Sequence, residues 1–281
     1  EFAVVYKSRD KIRSGKMQGK AISFSSKRIF FQPFRIFFII LIWSISFENL
    51  AQSKEQPNIL LLVAEDLSNR LGAYGDQVAK TPNIDRLAQS GQIFTNVFTT
   101  AGVCAPSRAA LITGQHQISM GAQHMRSSTS PHGKYLALPS EEVKAFPEIL
   151  RAKGYFTFTD RKLDYQFSGI YAGTGPFTVW DIEGESHLAW RKKKSGQPFF
   201  GLINFSETHE SGLMRHEGEI HSESHRQTIA FRQKAKLNGA SITDPKLVTL
   251  EPYYPDLPEL RTDIAQHYNN IHKMDKRVGR I

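Results

Sequence analysis

The chain has 281 residues, enough for one large domain or two ordinary ones, and 40% of them are hydrophobic, enough for a sizeable core. The net charge of +9 is concentrated at the front: residues 1–50 hold nine Lys or Arg against three Asp or Glu, leaving +3 for the rest. A nearly neutral body with no basic stripe interleaved with aromatics argues against nucleic-acid binding. The single cysteine excludes an internal disulfide.

Residues 1–51 read as a leader. Ile36 to Phe47 is an apolar run of 12 residues, preceded by Lys20, Lys27, Arg28 and Arg35 and followed by Ala51. That order of charge, apolar stretch and small residue is a secretory signal, and the run is short for a membrane span, which takes about 20 residues. Met17 is a candidate start, and the lack of a cysteine after the run argues against lipoprotein anchoring. The expected location is exported, periplasmic or extracellular, with membrane contact only through the leader during export.

Residues 52–281 form the body. Asn58 to Val63 is a continuous apolar run that suits a strand buried on both faces. It ends in Ala64-Glu65-Asp66, where open α/β sheets bind ligands. Thr81 to Gly91 reads as a short helix with Thr81 as cap and Pro82 at its first position. Ile93 to Phe98 reads as a strand, 107–113 as a helix closed by Gly114, and Phe146 to Ala152 as another helix. Tyr155 to Thr159 and Phe199 to Phe205 are strands. The longest helix, Leu260 to Ile281, repeats Ile264, Tyr268, Ile271, Met274 and Val278 at spacings of three and four. Strands alternating with helices imply an α/β sandwich around a mainly parallel sheet.

Cys104 stands in Gly102-Val103-Cys104-Ala105-Pro106-Ser107-Arg108, directly before a predicted helix. A helix N-terminus favours an anion and lowers a thiol pKa, and Arg108, one turn in, can face the same anion. These rules allow a thiolate nucleophile or an anion cradle. His216, His221 and His225 lie in a polar run without a zinc motif and read as a solvated, substrate-side loop.

Cys-x-Pro-Ser-Arg followed by Ala-Ala-Leu-Ile-Thr-Gly resembles the signature of type I, arylsulfatase A-like sulfatases. The resemblance runs from about Pro57 to Ile281 and covers the first part of such a catalytic domain. It implies an alkaline-phosphatase-like α/β fold, truncated here at its C-terminus, and hydrolysis of sulfate esters, on a sulfated sugar or polysaccharide by family analogy. It implies that a maturation enzyme oxidises Cys104 to formylglycine, whose hydrated aldehyde attacks sulfur with one hydroxyl and expels sulfate with the other. Arg108 would steady that group. Glu65 and Asp66, with the modified Cys104, match the calcium ligands, although the usual pair is Asp-Asp. Lys162 matches the sulfate-contacting lysine, but Arg161 replaces the usual glycine and Asp164 stands where the family often has histidine. His209 matches a substrate-facing histidine that protonates the leaving alcohol or binds sulfate. Two rival readings are a phosphate or phosphonate ester hydrolase of the same superfamily and an inactive exported carbohydrate-binding remnant. Because further metal ligands follow the next strand in that family, residues 52–281 alone are expected to be inactive and poorly soluble, with Ile271, Met274 and Val278 partly exposed.

Overall fold

The computed structural model describes residues 2–8, 56–126, 135–175, 178–213, 226 and 243–281. The apolar leader run, Met17 and the three histidines of the 216–225 segment lie outside the described residues. Glu1–Lys7 and Ile59–Ile281 form one compact unit, which carries the site; Ser8–Asn58 form a second.

Four strands make one sheet in the order β1-β2-β4-β3, with β1 at Phe2–Ser8, β2 at Asn58–Ala64, β3 at Phe156–Thr159 and β4 at Phe199–Phe205. Both β2 and β3 pair with β4 in parallel. Side chains alternate across a strand, and the sheet uses both faces. Leu62, Ala64, Ile203 and Phe205 pack on one side with Ala265, Tyr268, Ile271 and Met274 of the long helix. Leu61, Val63, Phe200 and Leu202 pack on the other with Ile112, Tyr155 and Trp180. This is the α/β sandwich that the strand–helix alternation predicts. Gly201 must stay small: a Cβ there would lie 2.4 Å from Cζ of Phe158, whose ring crosses β4.

Among the described residues, four α-helices flank the sheet: α1 (Pro82–Ser90), α2 (Cys104–Thr113), α3 (Phe146–Ala152) and α4 (Pro258–Val278). Helix α4 does not carry the exposed apolar face expected of it. Ile271 and Met274 are fully buried against β2 and β4, and Val278 is half-buried. The sheet itself is the packing partner, and each such burial stabilises by about 1.5–3 kcal/mol.

Two local expectations are also corrected. Residues 93–98 form no strand, and Phe94, Val97 and Phe98 are well exposed. Strand propensity is realised only against a neighbour, and no described strand pairs with this segment. Thr81 does not cap α1 with its side chain; its hydroxyl accepts from Gly72 N–H and donates to Asp85. Asp275 of α4 takes that place, accepting from the backbone N–H of Asn83 at 3.0 Å and of Ile84 at 2.9 Å. A carboxylate at a helix N-terminus satisfies orphan donors and suits the dipole, so α4 is bolted to α1.

Candidate active site

Parallel strands end together, so the segments after β2, β3 and β4 meet at one edge of the sheet. Glu65 follows β2, Asp160 and Lys162 follow β3, and Thr208 and His209 follow β4. Helix α2 brings Cys104 to the same edge. Cys104 is the helix's first residue, with Val103 as its extended N-cap, so the helix starts three residues earlier than the sequence pattern suggests. Pro106 fits that first turn because its missing N–H would be unpaired there anyway.

Glu65 is the hub, only 1% exposed. Its Oε2 pairs with Lys162 Nζ and lies 3.7 Å from His209 Nε2, and its Oε1 is 3.4 Å from the Arg108 guanidinium. Cys104 Sγ lies 3.9 Å from His209 Nε2. The fold thus gathers Cys104, Arg108, Lys162, His209 and Glu65 from four separate stretches of chain. Asp66 stands apart. Its left-handed backbone (φ 46°) turns the carboxylate outward, where it accepts from Glu210 N–H at 2.8 Å. Glu65, not Asp66, is therefore the carboxylate that faces Cys104.

A buried cation needs partners on every side. Arg108, 1% exposed, donates to Asn204 Oδ1 at 2.6 Å. The Asn204 amide in turn donates to Asp160 and, at 3.0 Å, to the Lys162 carbonyl. Arg277 of α4 holds the far side, donating to Asp160 and to the Asn204 carbonyl at 3.2 and 3.0 Å. Asn204, Asp160 and Arg277 escaped sequence reasoning. The available signal was a lone amide inside the apolar run of β4, since buried polar groups are partnered.

Electrostatics set the protonation states. Burial pushes the Cys104 thiol up; Lys162 opposes this, while Glu65, Asp66 and Asp164 reinforce it. The lowered thiol pKa expected at a helix N-terminus is therefore not realised, because burial, reinforced by three carboxylates, works the other way. Burial works against the Lys162 charge, yet Glu65 prevails and holds its pKa above the ordinary lysine value. Burial likewise raises the Asp160 carboxyl, against the Asn204 and Arg277 contacts. Ser211 N–H donates to His209 Nδ1 at 3.2 Å, so in the neutral ring the proton sits on Nε2, the nitrogen facing Cys104 and Glu65.

Donor chemistry decides what cation the edge could hold. One ligand atom each from Glu65, Cys104 and His209 lies within 4.8 Å of the others, and the same holds for Asp66, His209 and Glu210. Carboxylate oxygens suit a hard divalent ion; a thiol does not, and an oxygen at the Cys104 position would. The described residues fall short of the 6–8 oxygens that calcium takes.

A family model described as Sulfatase matches residues 57–181. Over 247 residues the chain is 38% identical to the ulvan-active sulfatase of Formosa agariphila, covering 81% of this chain and 40% of that protein. The chain is similar to members of the sulfatase family. Bovine arylsulfatase A is 43% identical over 102 residues, 36% of this chain and 19% of that enzyme. Among solved structures, a Bacteroides fragilis protein described as a sulfatase superposes with a TM-score of 0.53 at 18% identity, over 82% of this chain and 59% of that one. That likeness carries the fold, which is the sulfatase, alkaline-phosphatase-like α/β architecture. This chain spans about two fifths of the length of its ulvan-active relative.

Proposed function

We propose that this chain carries the nucleophile side of a sulfatase that hydrolyses sulfate esters on a sulfated sugar or polysaccharide. The observation that carries this reading is the buried Glu65–Lys162–Arg108 cluster facing Cys104 and His209. A high-pKa thiol in such surroundings is a poor thiolate nucleophile at neutral pH, which favours Cys104 as the precursor of another group. Oxidised to formylglycine by a maturation enzyme, Cys104 would supply a hydrated aldehyde, and Glu65 with that group would hold a calcium ion that lowers its hydroxyl pKa, Asp66 lying on the outer side.

The chain's own residues do the rest. Lys162 and Arg108 place two cations where sulfate oxygens would lie, and such contacts count most as charge builds in the transition state. His209 points Nε2 at the reacting side, from where its imidazolium form could give a proton to the leaving alcohol and return to the neutral ring. Asn204 keeps Arg108 from swinging away. The leader assigns the protein to export, in the periplasm or outside the cell.

Turnover of an aryl sulfate and an aryl phosphate by protein produced with a maturation enzyme tests the proposal. Sulfate should be the faster substrate, and Cys104→Ala should abolish its release. Phosphate turnover exceeding sulfate turnover, or full activity of Cys104→Ala, would overturn it.

A further inference from the structure

Asp164 is one of only two non-glycine residues with positive φ among those described, and the other is Asp66 beside the site. Backbone held in this region persists where surroundings over-determine it. Here the surroundings are two cations. One carboxylate oxygen of Asp164 pairs with the guanidinium of Arg126, and the other lies 3.5 Å from Lys162 Nζ. Asp164 is 2% exposed, whereas the Arg126 side chain keeps 15% of its surface open. The site edge thus carries three cations, Arg108, Lys162 and Arg126. Sulfate hydrolysis at Cys104 uses the first two. Arg126 is one carboxylate farther out, and its planar fork of five N–H donors exceeds what one Asp164 oxygen can accept.

The segment bearing Arg126 has a second feature. The His124 ring lies edge-on to Tyr135, with centroids 6.4 Å apart, and both residues are exposed. Exposed rings beside a cation suit a sugar, which offers an apolar face and charged substituents. The segment after Tyr135 is tied to the site: Ala137 N–H donates to Gln166 Oε1 at 2.7 Å, and Gln166 is on the loop that carries Lys162 and Asp164.

We propose that Arg126, set by Asp164 and flanked by the His124–Tyr135 rings, is a sugar subsite that reads a second anionic group on the sulfated substrate. Resting on the sulfate-ester reading above, it assigns the substrate class as dianionic: a sulfated sugar that also bears a carboxylate or another sulfate. Asp164 is a positioning residue, fixing the spacing between the Lys162 and Arg126 charges.

Titration calorimetry of the full chain with glucose monosulfate, glucose disulfate and glucuronic acid monosulfate tests the subsite. The unsubstituted chain should bind at least one dianionic sugar about 10-fold or more tighter than the monosulfate, the order expected of one charge-assisted contact. Which dianion gains identifies carboxylate or sulfate as the second group. Arg126→Ala should bring the three affinities together by weakening only the dianions. Arg126→Lys, which keeps charge but loses the fork, should retain part of the preference and guards against loss of folding in the alanine variant. An undiminished preference in Arg126→Ala, or an equal weakening of all three sugars, would overturn the subsite while leaving sulfate hydrolysis standing. Failure of the unsubstituted chain to bind any of the three would overturn both.

Discussion

Glu65→Gln isolates the charge at the centre of the site. The change keeps shape and hydrogen-bonding capacity but removes the one carboxylate shared by Lys162 and Arg108. Arg108 and Glu65 side chains are each 1% exposed and that of Lys162 is 15% exposed. Removing one partner of a buried pair costs about 3–5 kcal/mol, and the water that reaches Lys162 recovers part of this, so ~2–4 kcal/mol is expected. Urea unfolding followed by circular dichroism measures it, with an unchanged denaturant slope showing that stability alone has moved. Exposed Glu141, changed to Gln as a control, should stay within about 0.5 kcal/mol. The same Glu65→Gln protein should bind inorganic sulfate more tightly, because two buried cations lose their counter-charge. A stability loss no larger than the control's, or weaker sulfate binding, would refute the charge balance described here.

Three other outcomes are expected. Asn204→Leu should lower kcat/KM for an aryl sulfate by about 10-fold or more, mainly through kcat, because Arg108 loses its 2.6 Å anchor; steady-state kinetics with matched circular dichroism spectra checks this. Burial, with Arg70 nearby, pushes the His267 imidazole down to about 4. Its folded pKa lies below the unfolded value of about 6.5, so the stability it confers is present above pH ~6.5 and is lost as pH falls towards 4; His267→Gln should flatten that acid limb in urea melts taken from pH 7 to 4. Gly201→Ala should lower the thermal midpoint, because the added methyl would meet the Phe158 ring at 2.4 Å.

The strands Asn58–Ala64 and Phe199–Phe205 were legible as unbroken apolar runs, and their placement fixes where the site lies. Periodicity likewise gave α4 to within three residues at each end. Residues 93–98 misled because an apolar run specifies burial or pairing without saying whether a neighbour exists, and here these side chains are exposed. Within the site, the Cys104 motif and the acid pair were visible by spacing. Sequence order could not tell which of two adjacent acids turns inward; a left-handed residue at Asp66 decides that. Nor could it show that Asn204, Asp160 and Arg277 link Arg108 to α4, since those contacts join residues 44 to 117 positions apart.

The account stands on the chemical identity of residue 104. Cys104 sits half-buried beside His209 and three carboxylates, in a place that suits an oxygen nucleophile better than a thiolate. Mass spectrometry of the peptide spanning residue 104, taken from protein exported by a host with an active maturation enzyme, reads that identity directly. The account predicts the mass of formylglycine in place of cysteine, together with aryl sulfate turnover that rises in proportion to the modified fraction. Full sulfate turnover from protein whose peptide shows only unmodified cysteine would contradict it.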